Sequence, residues 1–150
     1  MNVVFISPHF PEYYHNFCSR LKDRGVNVLG VGDCPYDMIS DETKNSLTEY
    51  YYVGSLENYG EVYRACAYFS SQYGKIDWIE SENEYWLELE ATLRRDFNVT
   101  TGPQIQDMRW MKYKSAMKEV YKSAGLKVAD YIKLDTLDEA LEFTKKNGYP

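Results

Sequence analysis

The sequence predicts an α/β protein with a doubly wound parallel sheet, followed by a short helix–strand–helix segment. Short apolar runs of strand length alternate with stretches that have helical spacing. Strands that alternate with helices indicate a parallel sheet whose right-handed crossovers cover both faces. The pattern changes after Pro103, where too few elements follow to build a second sheet.

The N-terminal part of the chain supplies two strands and the helix between them. Residues 3–7 are an apolar run of the kind that is buried on both faces of a parallel sheet. Pro11 opens a helix at a position where its missing N–H costs nothing, and Gly25 ends that helix in a left-handed conformation. The apolar stripe of the helix has i, i+3, i+4, i+7 spacing: Tyr14, Phe17, Cys18 and Leu21. Residues 28–31 form the second strand, and residues 32–47 a long polar loop.

Three further strands and two helices complete the predicted sheet domain. Residues 49–53, 76–79 and 99–101 are the third, fourth and fifth strands. The helix between the third and fourth strands has helical spacing at Val62, Ala65, Cys66 and Phe69. Ser81 and Glu84 have the S-x-x-E spacing of a capping box, which predicts the start of the next helix.

The segment after Pro103 predicts a helix over residues 108–124, a strand over 128–134 and a helix over 136–147. Thr136 begins the last helix with a T-x-x-E capping box. A single strand leaves its backbone groups unpaired. We therefore expect this segment to lean on the first domain or to belong to a larger unit.

Composition excludes several classes of function. The net charge of −6 argues against nucleic acids and anionic membranes, which require a basic surface. No run approaches the roughly 20 apolar residues of a membrane span, and the N-terminus lacks the pattern of a signal peptide. The three cysteines form no C-x-x-C motif, so we expect a reduced, cytoplasmic protein.

Common nucleotide and metal motifs are missing from the sequence. The loop Ser7-Pro8-His9-Phe10-Pro11 replaces the G-x-G-x-x-G of a Rossmann dehydrogenase, and its prolines lack the N–H groups that a phosphate needs. The same loop disfavours a flavodoxin-like nucleotide binder. No G-x-x-x-x-G-K or H-E-x-x-H exists, so neither a P-loop nor a zinc site is expected, and no metal ligand is predicted.

Four residues at strand ends are candidates for a substrate cleft. In an open α/β sheet, ligands bind outside the carboxyl ends of the strands. Ser7 and His9 follow the first strand, whereas Glu80 and Asn83 follow the fourth. We interpret the neighbouring Glu82 and Glu84 as acids that stabilise the dipole of the next helix by roughly 0.3–1 kcal/mol each.

The order of motifs across the chain resembles the ATP-grasp superfamily. That pattern has a lysine, a helix ending in Ala-Gly, a strand, and a helix ending in Gly-Tyr-Pro. The corresponding positions in this chain are Lys114, Ala124-Gly125, the predicted strand 128–134 and Gly148-Tyr149-Pro150. Upstream, Asn83-Glu84 and the run from Leu93 through Gly102 are similar to the preceding domain of carboxylate–amine ligases and their biotin carboxylase-like relatives. The chain departs from the pattern at Tyr113, often Asp in the family, and at 127–129, where a proline is common.

The resemblance implies a pre-ATP-grasp, Rossmann-like domain over 1–103, a connector over 104–112 and the incomplete start of an ATP-grasp domain over 113–150. It also implies that Lys114 binds the phosphates of ATP. The complete enzyme would use ATP and Mg²⁺ to activate a carboxylate as an acyl phosphate, which an amine or another nucleophile attacks. We expect this fragment itself to be inactive and to bind no cofactor tightly.

A second hypothesis is a freestanding, non-catalytic ligand-binding or interaction module. The apolar face of the last helix distinguishes the two, since a cut domain would leave it uncovered: Leu137, Leu141 and Phe143. The expected partners are small-molecule carboxylates and amines in the parent enzyme, with a second copy of the chain as a candidate homodimer partner. Nucleic acids and membranes are not expected partners.

Overall fold

A computed structural model describes residues 1–148. Contacts divide the chain into two compact units, Met1–Met108 and Arg109–Pro150. The division falls inside the predicted connector 104–112. No helix among the described residues is long and apolar enough to cross a membrane.

The first unit contains a four-stranded sheet in which every strand pair is parallel. The strands are β1 (Asn2–Ile6), β2 (Asn27–Gly32), β3 (Glu49–Tyr52) and β4 (Trp78–Glu80). Their order across the sheet is β3-β2-β1-β4. The chain therefore adds β2 and β3 on one side of β1 and then adds β4 on the other side. Val4, in the middle of β1, is in register with Leu29 on one side and Ile79 on the other. The predicted fold class is confirmed.

Seven α-helices occur among the described residues. They are α1 (His15–Lys22), α2 (Asp41–Ser46), α3 (Tyr59–Tyr73), α4 (Leu87–Asp96), α5 (Met108–Lys112), α6 (Lys114–Ser123) and α7 (Leu137–Asn147). Short 3-10 turns lie at Glu12–Tyr14, Tyr36–Met38, Glu84–Trp86 and Ile105–Asp107. The side chain of Asn58 caps α3 by accepting from Glu61 N, and Gly74 ends the same helix with φ +84°.

Apolar clusters cover both faces of the sheet. Since side chains alternate along a strand, Val4 and Ile6 face one cluster and Phe5 faces the other. The larger cluster includes the stripe of α3 together with Leu93 of α4. The smaller one includes the α1 side chain Cys18 and its neighbours Tyr14, Val28 and Leu47. This two-sided burial explains why β1 and β2 are almost continuously apolar.

The predicted fifth strand, 99–101, is not a strand. On the side of β4 away from β1, the carbonyls of Asp77 and Ile79 accept from side chains. Thr101 Oγ1 donates to Asp77 O, and the Arg94 guanidinium donates to Ile79 O. These bonds occupy acceptors that a fifth strand would use.

Two further local predictions in the first unit were wrong. The loop 32–47 contains the helix α2, which Ser40 caps by accepting from Thr43 N. Ser81 and Glu84 form no capping box, because Asn83 is the N-cap and accepts from Tyr85 N.

The second unit has helices and no strand among the described residues. The predicted helix 108–124 is broken at Tyr113, whose φ of −94° and ψ of 108° are extended. Residues 128–134 were predicted as a strand, but no neighbouring strand exists among the described residues of this unit to pair with them. Side chains hold this segment to α6 instead: Lys118 Nζ donates to Ala129 O and Tyr131 Oη to Ser115 O.

The final helix follows the prediction closely. Both hydrogen bonds of the capping box between Thr136 and Glu139 are present. Helix α7 ends before Gly148, whose φ is +76°. Tyr149 and Pro150 of the Gly-Tyr-Pro signal lie outside the described residues.

Candidate functional site

The loop after β1 is held in a tight turn at the carboxyl edge of the sheet. Ser7 is buried and has a φ of +56°, a left-handed conformation that is uncommon for a side-chain-bearing residue. Its N–H donates to Val31 O (2.8 Å), and its hydroxyl donates to Phe10 O (3.1 Å). Ser7 therefore shapes the loop with its own polar groups.

His9 is mostly buried in the same loop. Its Nε2 lies 3.4 Å from Asp33 Oδ1, at the end of β2, and its side chain is 17% exposed. Its Nδ1 is buried and has no hydrogen-bond partner among the described residues. Burial lowers the pKa of His9 more than the Asp33 carboxylate raises it, so the imidazole is neutral near pH 7.

A cavity of about 450 Å³ opens beside His9. It lies between the loops that follow β1 and β2, and most of its wall is apolar. Its lining residues are His9, Phe10, Pro11, Glu12, Cys34, Met38, Ile39 and Ser40. This size and position are typical of small-molecule sites in open α/β sheets.

Glu80 ends β4, and its carboxylate organises the turn that follows. Oε1 accepts from the N–H groups of Ser81 (3.1 Å) and Glu82 (3.3 Å). Oε2 accepts from Trp78 Nε1 (3.3 Å) and lies 3.5 Å from Arg94 Nη2. The Glu80 side chain remains 25% exposed, so one part of it still faces solvent at the strand edge.

The turns after β1 and β4 are joined by a hydrogen bond. Tyr14 Oη donates to Glu82 O (2.7 Å), and Glu82 adopts a φ of +58°. Burial, with a smaller effect of the Glu80 charge, raises the pKa of the Glu82 carboxyl. Asn83 accepts from Tyr85 N through its side chain and donates its own N–H to Ser81 Oγ, so it serves as a cap.

A second, smaller cavity of about 270 Å³ lies on the α1 side of the sheet. Its wall contains two carboxylate side chains, Glu80 and Glu82. The remainder of the wall consists of Met1, Val3, Phe5, Phe17, Leu21 and Trp78. The two carboxylates thus lie between an apolar cavity and the carboxyl edge of the sheet.

A buried polar network lies directly beneath the turn after β4. Ser81, Glu90 and Arg94 are each 0% exposed. Arg94 Nη2 donates to Glu90 Oε2 (3.0 Å), and Ser81 Oγ donates to the other oxygen of Glu90. The same guanidinium donates to Ile79 O and, through Nη1, to Pro103 O (2.8 Å). One buried cation therefore connects β4, α4 and the end of the sheet domain.

Glu90 has an unusual proton affinity. Burial raises its pKa to about 7, with the Glu80 charge adding to the effect and the Ser81 hydroxyl and Arg94 opposing it. The sequence patterns did not predict this network. The available signal was that Glu90 and Arg94 share the helix face of Trp86, Leu93 and Phe97, with i, i+4 spacing.

Lys114 belongs to the second unit. It is the first residue of α6, and its side chain is exposed. Among residues 1–148, no hydrogen bond or ion pair to its ammonium is found. The structure therefore brings Ser7, His9, Glu80 and Asn83 to one sheet edge and places Lys114 on a different unit.

No cluster of three or more metal-ligating side chains exists among the described residues. Glu80 and Glu82 are two neighbouring carboxylates, and Glu80 already accepts four protein hydrogen bonds.

No family model matches the sequence, and no curated protein matches it. Solved structures do match its fold. An L-amino acid ligase from Bacillus licheniformis aligns over 97% of this chain with 15% identity and a TM-score of 0.57. The biotin carboxylase domain of a single-chain bacterial carboxylase aligns over 99% with 16% identity and a TM-score of 0.69. The biotin carboxylase domain of a Hydrogenobacter thermophilus 2-oxoglutarate carboxylase, solved as a dimer with MgADP, ADP and bicarbonate, aligns over 99% with 21% identity and a TM-score of 0.64.

These likenesses show that the chain shares the fold of the aligned parts of an L-amino acid ligase and two biotin carboxylase domains. The chain spans 41%, 35% and 33% of the three matched chains, respectively.

Proposed function

We propose that this chain forms the N-terminal part of an ATP-dependent ligase of the ATP-grasp type. In the complete enzyme, ATP and Mg²⁺ activate a carboxylate as an acyl phosphate, and an amine or another nucleophile then attacks the acyl carbon. The observation that carries the proposal is the fold match, which extends over 97–99% of this chain in a ligase and in two biotin carboxylases.

The carboxyl edge of the sheet supports a substrate-binding role for the first unit. Ser7 and Glu82 both have left-handed backbone conformations, which cost energy and are common at functional sites. Tyr14, in the 3-10 turn that follows the Ser7 loop, donates a hydrogen bond to Glu82 O, and two cavities open at this edge. In this proposal His9 and Glu80 contact the substrate, while Ser7 and Asn83 hold the turns in place.

The position of Lys114 supports a role in phosphate binding. The N-terminus of α6 carries the positive end of the helix dipole, and no side chain among residues 1–148 caps its backbone N–H groups. A lysine at this position opposes the dipole, so structural stability does not explain it. Together, an ammonium and unpaired N–H groups suit a phosphate.

Exposed apolar side chains in the second unit favour the ligase hypothesis over a freestanding module. Leu137 is 74% exposed and Leu141 is 44% exposed, although both lie on the apolar face of α7. Leu126 and Leu134 are exposed as well. Such a surface suits packing against further parts of an enzyme. We therefore propose that the fragment alone has no ligase activity.

Nucleotide titration followed by NMR tests this proposal. The chain is labelled with ¹⁵N, and Mg·ATP is added up to about ten times the roughly millimolar Kd of a weak site. We expect small shifts confined to the first turn of α6, with no ATP hydrolysis. The variant Lys114→Ala should lose these shifts, whereas Lys127→Ala, an exposed lysine beyond the helix, should keep them.

Two results would contradict the proposal. One is sub-millimolar affinity or measurable hydrolysis by the chain alone, since that would indicate a complete active site. The other is a nucleotide response that Lys114→Ala leaves unchanged.

A further inference from the structure

The buried network beneath the turn after β4 holds more carboxylates than cations. Arg94 Nη2 lies 3.0 Å from Glu90 Oε2 and 3.5 Å from Glu80 Oε2, so one guanidinium serves two acids. Glu90 has no contact with solvent, whereas the Glu80 side chain is 25% exposed. Burying an unbalanced charge is costly, and a carboxyl group can remove that cost by taking up a proton.

The guanidinium itself has little freedom to move. Its Nε donates to Ile79 O (3.1 Å), and its Nη1 donates to Pro103 O (2.8 Å). Only its contacts with the two carboxylates can be redistributed without breaking a bond to the backbone. A change in the charge of Glu90 must therefore change the hydrogen bonds of Glu80 or of Ser81.

We propose that Glu90 is a proton-responsive positioning residue, which controls through Arg94 and Ser81 where the Glu80 carboxylate stands at the edge of the sheet. When Glu90 is ionised, it accepts from both Ser81 Oγ and Arg94, and Glu80 accepts from Trp78 Nε1. When Glu90 takes up a proton, Glu80 becomes the only carboxylate partner of Arg94. The 3.5 Å contact then shortens, and the Glu80–Trp78 bond weakens.

Helix α4 packs against β4 and against the 3-10 turns that contain the acids Glu84 and Asp107. The charged groups that act on Glu90 are Glu80 from β4 and Arg94 from its own helix. Helix α3 contributes Val62, Ala65, Cys66 and Phe69 to the core beside Leu93. Of these only the Cys66 thiol titrates, and burial raises its pKa to about 12. A proton taken up near neutral pH in this part of the core therefore belongs to Glu90.

The functional consequence of proton uptake by Glu90 rests on the proposed function, because Glu80 is a residue of the proposed substrate site. The proton uptake would set the orientation of Glu80 and of the Glu82–Asn83 turn before any substrate binds. Binding of an amine or of a carboxylate at this edge would then depend on pH near neutrality.

Trp78 provides a direct reporter that needs no nucleotide or substrate. The indole ¹H–¹⁵N signal of Trp78, assigned with Trp78→Phe, is followed from pH 5 to pH 9 in the free chain. We expect one step with a midpoint near 7, as the pKa of Glu90 requires. Glu90→Gln should abolish the step, whereas Glu88→Gln, the same change at an exposed position of α4, should keep it.

Two further variants keep the test decisive if Glu90→Gln folds poorly. Ser81→Ala removes a donor to the ionised carboxylate and should raise the midpoint. Glu80→Gln removes a neighbouring negative charge and should lower it. A step that persists in Glu90→Gln, or that Ser81→Ala and Glu80→Gln shift in the same direction, overturns the proposal. Loss of the step in His9→Gln also overturns it. Because no ATP is present, failure here is separate from failure of the ligase proposal.

Discussion

Replacing Arg94 by methionine should destabilise the sheet domain far more than an ordinary surface substitution. Methionine fills much the same space but donates no hydrogen bonds. The Glu90 carboxylate and the carbonyls of Ile79 and Pro103 would lose a donor. Breaking a buried ion pair by removing one partner costs about 3–5 kcal/mol. Each buried acceptor left without a donor costs a further ~1–3 kcal/mol.

Proton uptake by Glu90 limits that loss, since a neutral carboxyl is cheaper to bury. We therefore expect Arg94→Met to lower the free energy of unfolding by about 4 kcal/mol, out of the roughly 5–15 kcal/mol of a typical domain. Urea denaturation at pH 7.5, followed by circular dichroism, measures the change. Arg95→Met is the matched control, because Arg95 is exposed on the same helix and should leave the midpoint nearly unchanged. A loss below about 1 kcal/mol for Arg94→Met would refute the central role of this guanidinium.

Three other predictions concern pH, the nucleotide site and close backbone packing. The folded-state pKa of Glu90, about 7, exceeds its value in an unfolded chain, so its stabilising contribution is full below about pH 4.5 and is lost as the pH rises through 7. Urea midpoints at pH 5.5 and 8 should show this loss in the native chain, and Glu90→Gln should remove it. Lys114→Ala should leave thermal stability unchanged or raise it by about 0.3 kcal/mol, because the lysine opposes the helix dipole; a clear loss of stability would contradict this. In Gly32→Ala, the new Cβ would overlap Tyr50 Oη, and we expect a loss of about 1–3 kcal/mol in calorimetry. Gly60→Ala, which meets only ordinary contacts, should cost nothing.

Much of the sheet domain followed from local patterns in the sequence. The sequence patterns predicted all four strands of the sheet within about two residues. For β1 and β2 the reason is burial on both faces, which leaves little polar character in the strand. The capping box of Thr136 and Glu139 was also predicted, since both of its hydrogen bonds form within four residues.

Predictions failed where the partner of a backbone group was remote in sequence. Residues 99–101 have the composition of a strand, yet the side chains of Arg94 and Thr101 occupy carbonyls in and beside β4. Residues 128–134 alternate like a strand, but a strand requires a neighbour, and the second unit has none among the described residues. Alternation in a sequence shows a preference for extended backbone and says nothing about its partner.

The same distinction applies to the candidate site. Strand ends can be located from sequence, so Ser7, His9, Glu80 and Asn83 could be assigned to one edge of the sheet. Their roles could not, since Ser81 resembles a helix cap in sequence and instead bonds to Glu90 nine positions later.

By itself the sequence determined the fold class, the four strands of the sheet and the positions of their carboxyl ends, because periodicity and turn residues act over a few positions. Only the tertiary structure decided which acids are buried, which carbonyls Arg94 satisfies and why Glu90 titrates near neutral pH. Those properties depend on removal from water and on charges brought together by folding, and no local pattern of residues contains them.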